Sequence, residues 1–253
     1  MGRFEGKVVI VTGAGRDIGL AVSKAFAREG AKVALVGRSA GAIADGAAAI
    51  NGAGGTAIAV TCDVSSKDQI YAAVEQVSSK LGPIDVLVNN AHDTSDSQHS
   101  FLRTTDETLE RLMTTGFNAT AHFMRACFPH LKAQKGKVIN FGSGAGVAGF
   151  SPYFAYASAK EAIRAMTRVV AREWAKYRIN VNVVCPVSAT EALAKAENNP
   201  EVAAFVATIP MQYAGSPDQD IAPVALFLAS EESRYMTGHT FMVDGGSMID
   251  AGR

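Results

Sequence analysis

Cysteine is scarce in this chain. Cys62, Cys127 and Cys185 are the three present among 253 residues. They lie far apart in apolar segments, a spacing that offers neither a metal-ligand pattern nor a disulfide framework, so buried free thiols are expected. Surplus charge is also lacking, since 24 Lys and Arg balance 24 Asp and Glu. No basic field calls for nucleic acid, and no acidic block suggests a solvating tail. No apolar run approaches the ~18 residues of a membrane span, and the N-terminus has no signal-peptide core. The expectation is a protein of the reducing cytoplasm, off the membrane. Linkers and low-complexity stretches are missing too, which leaves one α/β domain over 1–253 with a substantial core.

What is present is alternation. Lys7 to Val11 is a short apolar, β-branched strand. Further strands are expected at Ala31–Gly37, Thr56–Cys62, Val86–Val88, Lys137–Phe141, Ile179–Val184 and Thr240–Val243. Between them, helical patterns run over about Leu20–Ala27, Ala40–Ile50, Asp68–Leu81, Thr105–Phe128, the stretch from Tyr156 to Tyr177, and Asp220–Ala229. Such βαβ alternation predicts a doubly wound Rossmann domain with a central parallel sheet of about seven strands. Its site should lie beyond the carboxyl ends of the strands.

The first strand runs into Thr12-Gly13-Ala14-Gly15-Arg16-Asp17-Ile18-Gly19 and then into a helix. Strand, glycine-rich turn and helix in that order place a pyrophosphate on a helix N-terminus. After the second strand, NAD-preferring folds usually carry an acid for the ribose 2′-hydroxyl. Here Gly37-Arg38-Ser39 stands instead. Arg38, with Arg16 as a second cation, suits a 2′-phosphate, so NADP(H) is expected over NAD(H).

Tyr156 and Lys160 form an i, i+4 pair on one helix face, and Ser143 precedes the tyrosine by thirteen residues. A free phenol titrates near pH ~10, and bringing it to neutrality takes roughly 4 kcal/mol of preferential stabilisation. A neighbouring ammonium acts in that direction. The three side chains amount to a proton donor, a cation to tune it and a hydroxyl to hold a carbonyl oxygen.

Taken together, these features resemble the short-chain dehydrogenase/reductase family over nearly the whole chain. The matching residues are Thr12-Gly13 with Gly19, Asp63-Val64, Asn89-Asn90-Ala91, Ser143, Tyr156 with Lys160, Pro186, and Val243-Asp244-Gly245-Gly246. The resemblance implies a nicotinamide-dependent oxidoreductase in which Ser143, Tyr156 and Lys160 are catalytic. It also implies that Gly13, Gly15, Arg16, Ile18, Gly19, Arg38, Asp63, Val64, Asn90, Ala91, Tyr156, Lys160, Pro186 and Thr190 hold the cofactor. A substrate lid over about 188–211 and assembly as a homotetramer or homodimer follow from the same resemblance.

Four departures stand against the pattern. Asp17 replaces a glycine of the turn, and is expected to face outward, capping the helix or pairing with Arg16. Gly116, thirteen residues before Pro129, occupies the place of the family's helical asparagine, whose backbone carbonyl holds a relay water; glycine keeps that carbonyl. His92 replaces the glycine after Asn89-Asn90-Ala91, and reads as a solvated loop residue. Val187 replaces the glycine after Pro186 and adds bulk to the pocket. The expected activity is interconversion of a ketone and a secondary alcohol on a fairly apolar small molecule. The alternatives are a 3-oxoacyl-thioester reductase and a cofactor-binding protein without turnover.

Overall fold

In the computed structural model, which describes residues 2–189 and 200–249, seven strands form one parallel sheet. They are β1 (Val8–Thr12), β2 (Lys32–Gly37), β3 (Thr56–Thr61), β4 (Val86–Asn89), β5 (Lys137–Phe141), β6 (Asn180–Pro186) and β7 (Thr240–Val243). Their order is β3-β2-β1-β4-β5-β6-β7. The chain reverses direction across the sheet between β1 and β4, and that switch point opens the crevice in which such folds bind ligands.

The helices are α1 (Asp17–Arg28), α2 (Ala40–Gly52), α3 (Lys67–Leu81), α4 (Asp106–Met113), α5 (Ala119–Gln134), α6 (Gly144–Ala148), α7 (Phe154–Trp174), α8 (Pro200–Thr208) and α9 (Ala222–Ala229). Strand side chains alternate between two buried faces, which is why the strands read as unbroken apolar runs rather than as alternating ones. Val9 and Val11 of β1 face the cluster formed with α1, α2 and α9. Val8 and Ile10 face the opposite cluster, with Ile70 and Val74 of α3, Phe123 and Cys127 of α5, and Ala171 of α7. All three cysteines are buried and free.

The long helix expected over Thr105–Phe128 is divided. A turn of π-helix at Thr114–Asn118 joins α4 to α5. Gly116 sits inside it, where the absence of a side chain lets another residue approach closely. The apolar C-terminal stretch is likewise divided. Met248 packs against the loop at Gly144, whereas Ile249 is 80% exposed.

At the opposite, amino ends of the strands, Asp85 accepts the Val8 N–H and the Lys7 ammonium, both at 2.9 Å. Nearby, the buried Lys137 ammonium donates to Asn180 Oδ1. These contacts fasten the foot of the sheet.

Candidate active site

The glycine turn and the end of β4 are clamped together. Thr12 Oγ1 accepts the backbone N–H groups of Asn90 and Ala91, both at 3.0 Å. The Asn90 amide donates back to Thr12 O at 3.0 Å and Gly13 O at 3.2 Å. Gly13 lies at φ +65°, and a Cβ there would stand 2.9 Å from Ala91 Cα. Gly19 is required for packing, since its Cβ would run into the Gly13 carbonyl.

From this clamp a cleft of about 860 Å³ opens along the carboxyl ends of β1, β2, β3 and β4. Of the residues expected to hold a cofactor, Gly13, Gly15, Arg16, Ile18, Arg38, Asp63, Val64, Asn90 and Ala91 line it. Gly19 stands behind the turn. Pro186 ends β6 beside Val243. Thr190 lies outside the described residues, as do 190–199 of the expected lid; Ser188 pairs with Gly215, and α8 covers Pro200–Thr208. Sequence reasoning missed Ser39, Cys62, Asp93, Ser95 and Thr115, which also line the cleft. None of them belongs to a motif, and no spacing rule marks them.

Arginine side chains at the cleft are well exposed but not isolated. Arg38 lies 3.8 Å from Asp93, whose other oxygen is 3.4 Å from Arg111. Hydrogen bonds from Ser65 hold the Asp63 carboxyl below its ordinary range, with Arg38 adding to the effect. Arg16 lies 3.7 Å from Asp17, as the expected pairing requires. Asp17 nevertheless contributes to the cleft wall rather than facing wholly outward. Its φ of +47° falls in the left-handed region, where glycine costs least.

Ser143, Tyr156 and Lys160 converge where β5 ends and α7 begins. Ser143 caps α6, its Oγ accepting the Ala145 N–H at 3.2 Å. Tyr156 lies in the first turn of α7, and Lys160 follows one turn on. The Ser143 hydroxyl hydrogen-bonds Tyr156 and favours its ionised form, but burial pushes the phenol the other way and prevails. Lys160 is 5% exposed; its ammonium donates to Phe141 O at 2.9 Å and lies 5.6 Å from the Tyr156 ring centre. Burial brings the lysine down to about 8. The Tyr156 phenol thus stands above its ordinary value, with burial as the largest cause.

Two neighbours enclose the phenol. Tyr153 lies tilted at 6.0 Å, its hydroxyl accepting from Gln98. His92 stacks on the opposite partner ring, Tyr156, with centroids 5.3 Å apart and planes 17° from parallel. The reading of His92 as a solvated loop residue is thus corrected. Its ring is enclosed, and burial together with the Lys160 charge drives its pKa down to about 3. A histidine following a strand-end Asn-Ala looks solvated because sequence does not reveal the space beside Gly116. His92 also lines the cleft and so joins its cofactor-like arm to the Ser143–Tyr156–Lys160 cluster.

Residues 13–248 match the family model described as enoyl-(acyl carrier protein) reductase. The chain is 39% identical to the 12alpha-hydroxysteroid dehydrogenase of a Clostridium species, over 97% of this chain and 98% of that one. This chain is a short-chain dehydrogenase/reductase. Further members are similar to it: 2-(S)-hydroxypropyl-CoM dehydrogenase 3 of Xanthobacter autotrophicus is 34% identical over 96% of this chain and 97% of its own length. The 3-oxoacyl-(acyl-carrier-protein) reductase of Escherichia coli is 34% identical over 96% and 98%. A solved short-chain type dehydrogenase/reductase from Mycobacterium ulcerans superposes with a TM-score of 0.91 at 24% identity, covering 96% of this chain and 90% of that one. That likeness supports the fold. As a family member the chain is an oxidoreductase of the NAD(P)(H)-using type, and no helix among the described residues is long and apolar enough to cross a membrane.

Proposed function

We propose that this short-chain dehydrogenase/reductase is an NADPH-dependent enzyme that interconverts a ketone and a secondary alcohol on a fairly apolar small molecule. The observation that carries the reading is the convergence of Ser143, Tyr156 and Lys160 beside His92, a residue that lines a cleft beginning at a glycine turn and two arginines. The cleft fits a dinucleotide. Gly13 admits close backbone approach, and Arg16 and Arg38 offer cations with no acid at the end of β2.

A bound nicotinamide cofactor supplies the hydride. Ser143 donates a hydrogen bond to the substrate carbonyl oxygen, where negative charge develops. Tyr156 gives its Oη proton to that oxygen in reduction and takes it back in oxidation. The Lys160 charge would favour the phenolate of Tyr156. Val187, with the exposed Phe150, Phe205 and Met211, supports an apolar substrate, as does the hydroxysteroid named for the Clostridium relative. We extend the same reading to a cytoplasmic homotetramer or homodimer.

The first test is binding heat with NADPH and with NADH, followed by a ketone screen. Replacing Tyr156 by Phe is expected to cut turnover by at least ~100-fold while NADPH affinity stays within about threefold. Unchanged turnover removes this mechanism. The Escherichia coli relative favours a second reading, a 3-oxoacyl-thioester reductase; faster NADPH oxidation with acetoacetyl-CoA than with apolar ketones would select it.

A further inference from the structure

Two of the departures from the family pattern touch each other. A Cβ built on Gly116 would lie 2.7 Å from Nε2, 2.9 Å from Cε1 and 3.1 Å from Cδ2 of His92. The imidazole therefore occupies the space that any side chain at 116 needs. It is held there from two sides, with Nε2 3.0 Å from Leu112 O and the ring stacked on Tyr156.

A carbonyl oxygen only accepts, so Nε2 carries the proton and donates it. Nδ1 then bears a lone pair, and it is buried without a hydrogen-bond partner. The neighbouring acceptor, the Gly116 carbonyl, is already engaged by Thr120 Oγ1 at 2.8 Å and by the Ala119 N–H. A buried acceptor left unpaired beside a reacting phenol is costly unless something that binds there satisfies it.

We propose that His92 and Gly116 are one interlocked exchange. It makes His92 the positioning residue for Tyr156, with Nδ1 as the acceptor for an O–H group brought into the chamber. The proposal rests on the oxidoreductase reading above. Two sources supply an O–H, an ordered water and a hydroxyl of the substrate itself. Charged groups acting on the ring are Lys160 and Arg111, which oppose its protonation, and Asp93, which favours it. The neutral acceptor form is kept because burial adds to the first two.

The test is a four-protein cycle of the native chain, His92→Gly, Gly116→Asn and the double variant, with His92→Phe as a fifth protein. Gly116→Asn alone is expected to displace the imidazole and lower kcat about 100-fold, with NADPH affinity within about threefold. The double variant should recover at least tenfold of that loss, since vacating position 92 makes room for the asparagine. Losses that simply multiply overturn the interlock. If Gly116→Asn does not fold, folding of the double variant is the same coupling read in Tm, and its failure counts against the proposal.

His92→Phe keeps a stacked ring and removes the acceptor. A kcat loss of tenfold or more on every substrate identifies water as the donor, whereas a KM increase confined to hydroxylated substrates identifies the substrate. Activity matching the native chain on all substrates overturns the acceptor role. Nitrogen-15 NMR of labelled histidine gives a readout free of turnover. A His92 signal fixed as the Nε2–H tautomer from pH 5 to 9 supports the proposal, and ordinary titration near 6.5 defeats it. Should the native chain turn over no ketone or alcohol with either cofactor, the functional reading fails, while NMR and Tm still decide the interlock.

Discussion

At the residue scale, the role proposed for Lys160 sets function against stability. Its folded pKa lies near 8, below the ordinary 10.5, because burial disfavours the charged form. Between those values the unfolded chain binds the proton and the folded chain does not, so this residue's contribution to stability rises with pH. Below about 8 the charge stays buried at its full cost. Lys160→Met should therefore raise the stability of the ligand-free protein at pH 7 by about 1–3 kcal/mol, while abolishing turnover. Denaturant melts of both proteins at pH 7 and pH 10 check this, and the gap between them should narrow at the higher pH. Asp17 is the second residue of this kind. Asp17→Gly relaxes a left-handed backbone and removes a carboxylate from the cleft wall. NADPH binding heat should show affinity increased severalfold, more at low salt than at high. Sequence located both positions, because a missing glycine and an i, i+4 pair are visible in a string of letters. It misplaced His92, whose environment is made by a residue 24 positions away.

At the scale of elements, the motifs act through a scaffold that sequence only partly reveals. Each strand was placed within two residues, since strands buried on both faces announce themselves as apolar β-branched runs. The break in the long helix was not visible, because a π-turn carries no composition of its own. Nor was the clamp between β1 and β4. Asn90 was expected at the cofactor, and it does line the cleft, but its amide is spent on the glycine turn. Thr12 is the other half of the clamp. Thr12→Val keeps the shape and removes the acceptor for two backbone N–H groups, at a cost of about 1–3 kcal/mol. A lower Tm accompanied by weaker NADPH binding is the expected result; a lower Tm with unaltered binding would show that the clamp serves folding alone.

Across the whole molecule, the three buried thiols work against stability in alkali. Burial raises Cys62 and Cys185 to about 11 and Cys127 further, from an ordinary 9.0. Above pH 9 the unfolded chain loses these protons while the folded chain keeps them, so stability falls as pH rises. Relative to native protein, a Cys62→Ala, Cys127→Ala, Cys185→Ala variant should lose less stability between pH 8.5 and 10.5, whatever its stability at pH 7; equal slopes would remove the thiols from the account. The scarcity of cysteine had suggested as much, since three widely spaced thiols in apolar segments have nowhere to go but the core.

The fastening at the foot of the sheet has a practical consequence. Asp85, Lys7 and Lys137 hold the strand starts together, and a five-residue strand carries the chain about 17 Å before it reaches the rim where the active site is proposed. The molecule thus keeps its anchorage and its reactivity at opposite poles. A hardier version of this enzyme can be sought by rebuilding the lower pole, leaving the geometry around Tyr156 as it is.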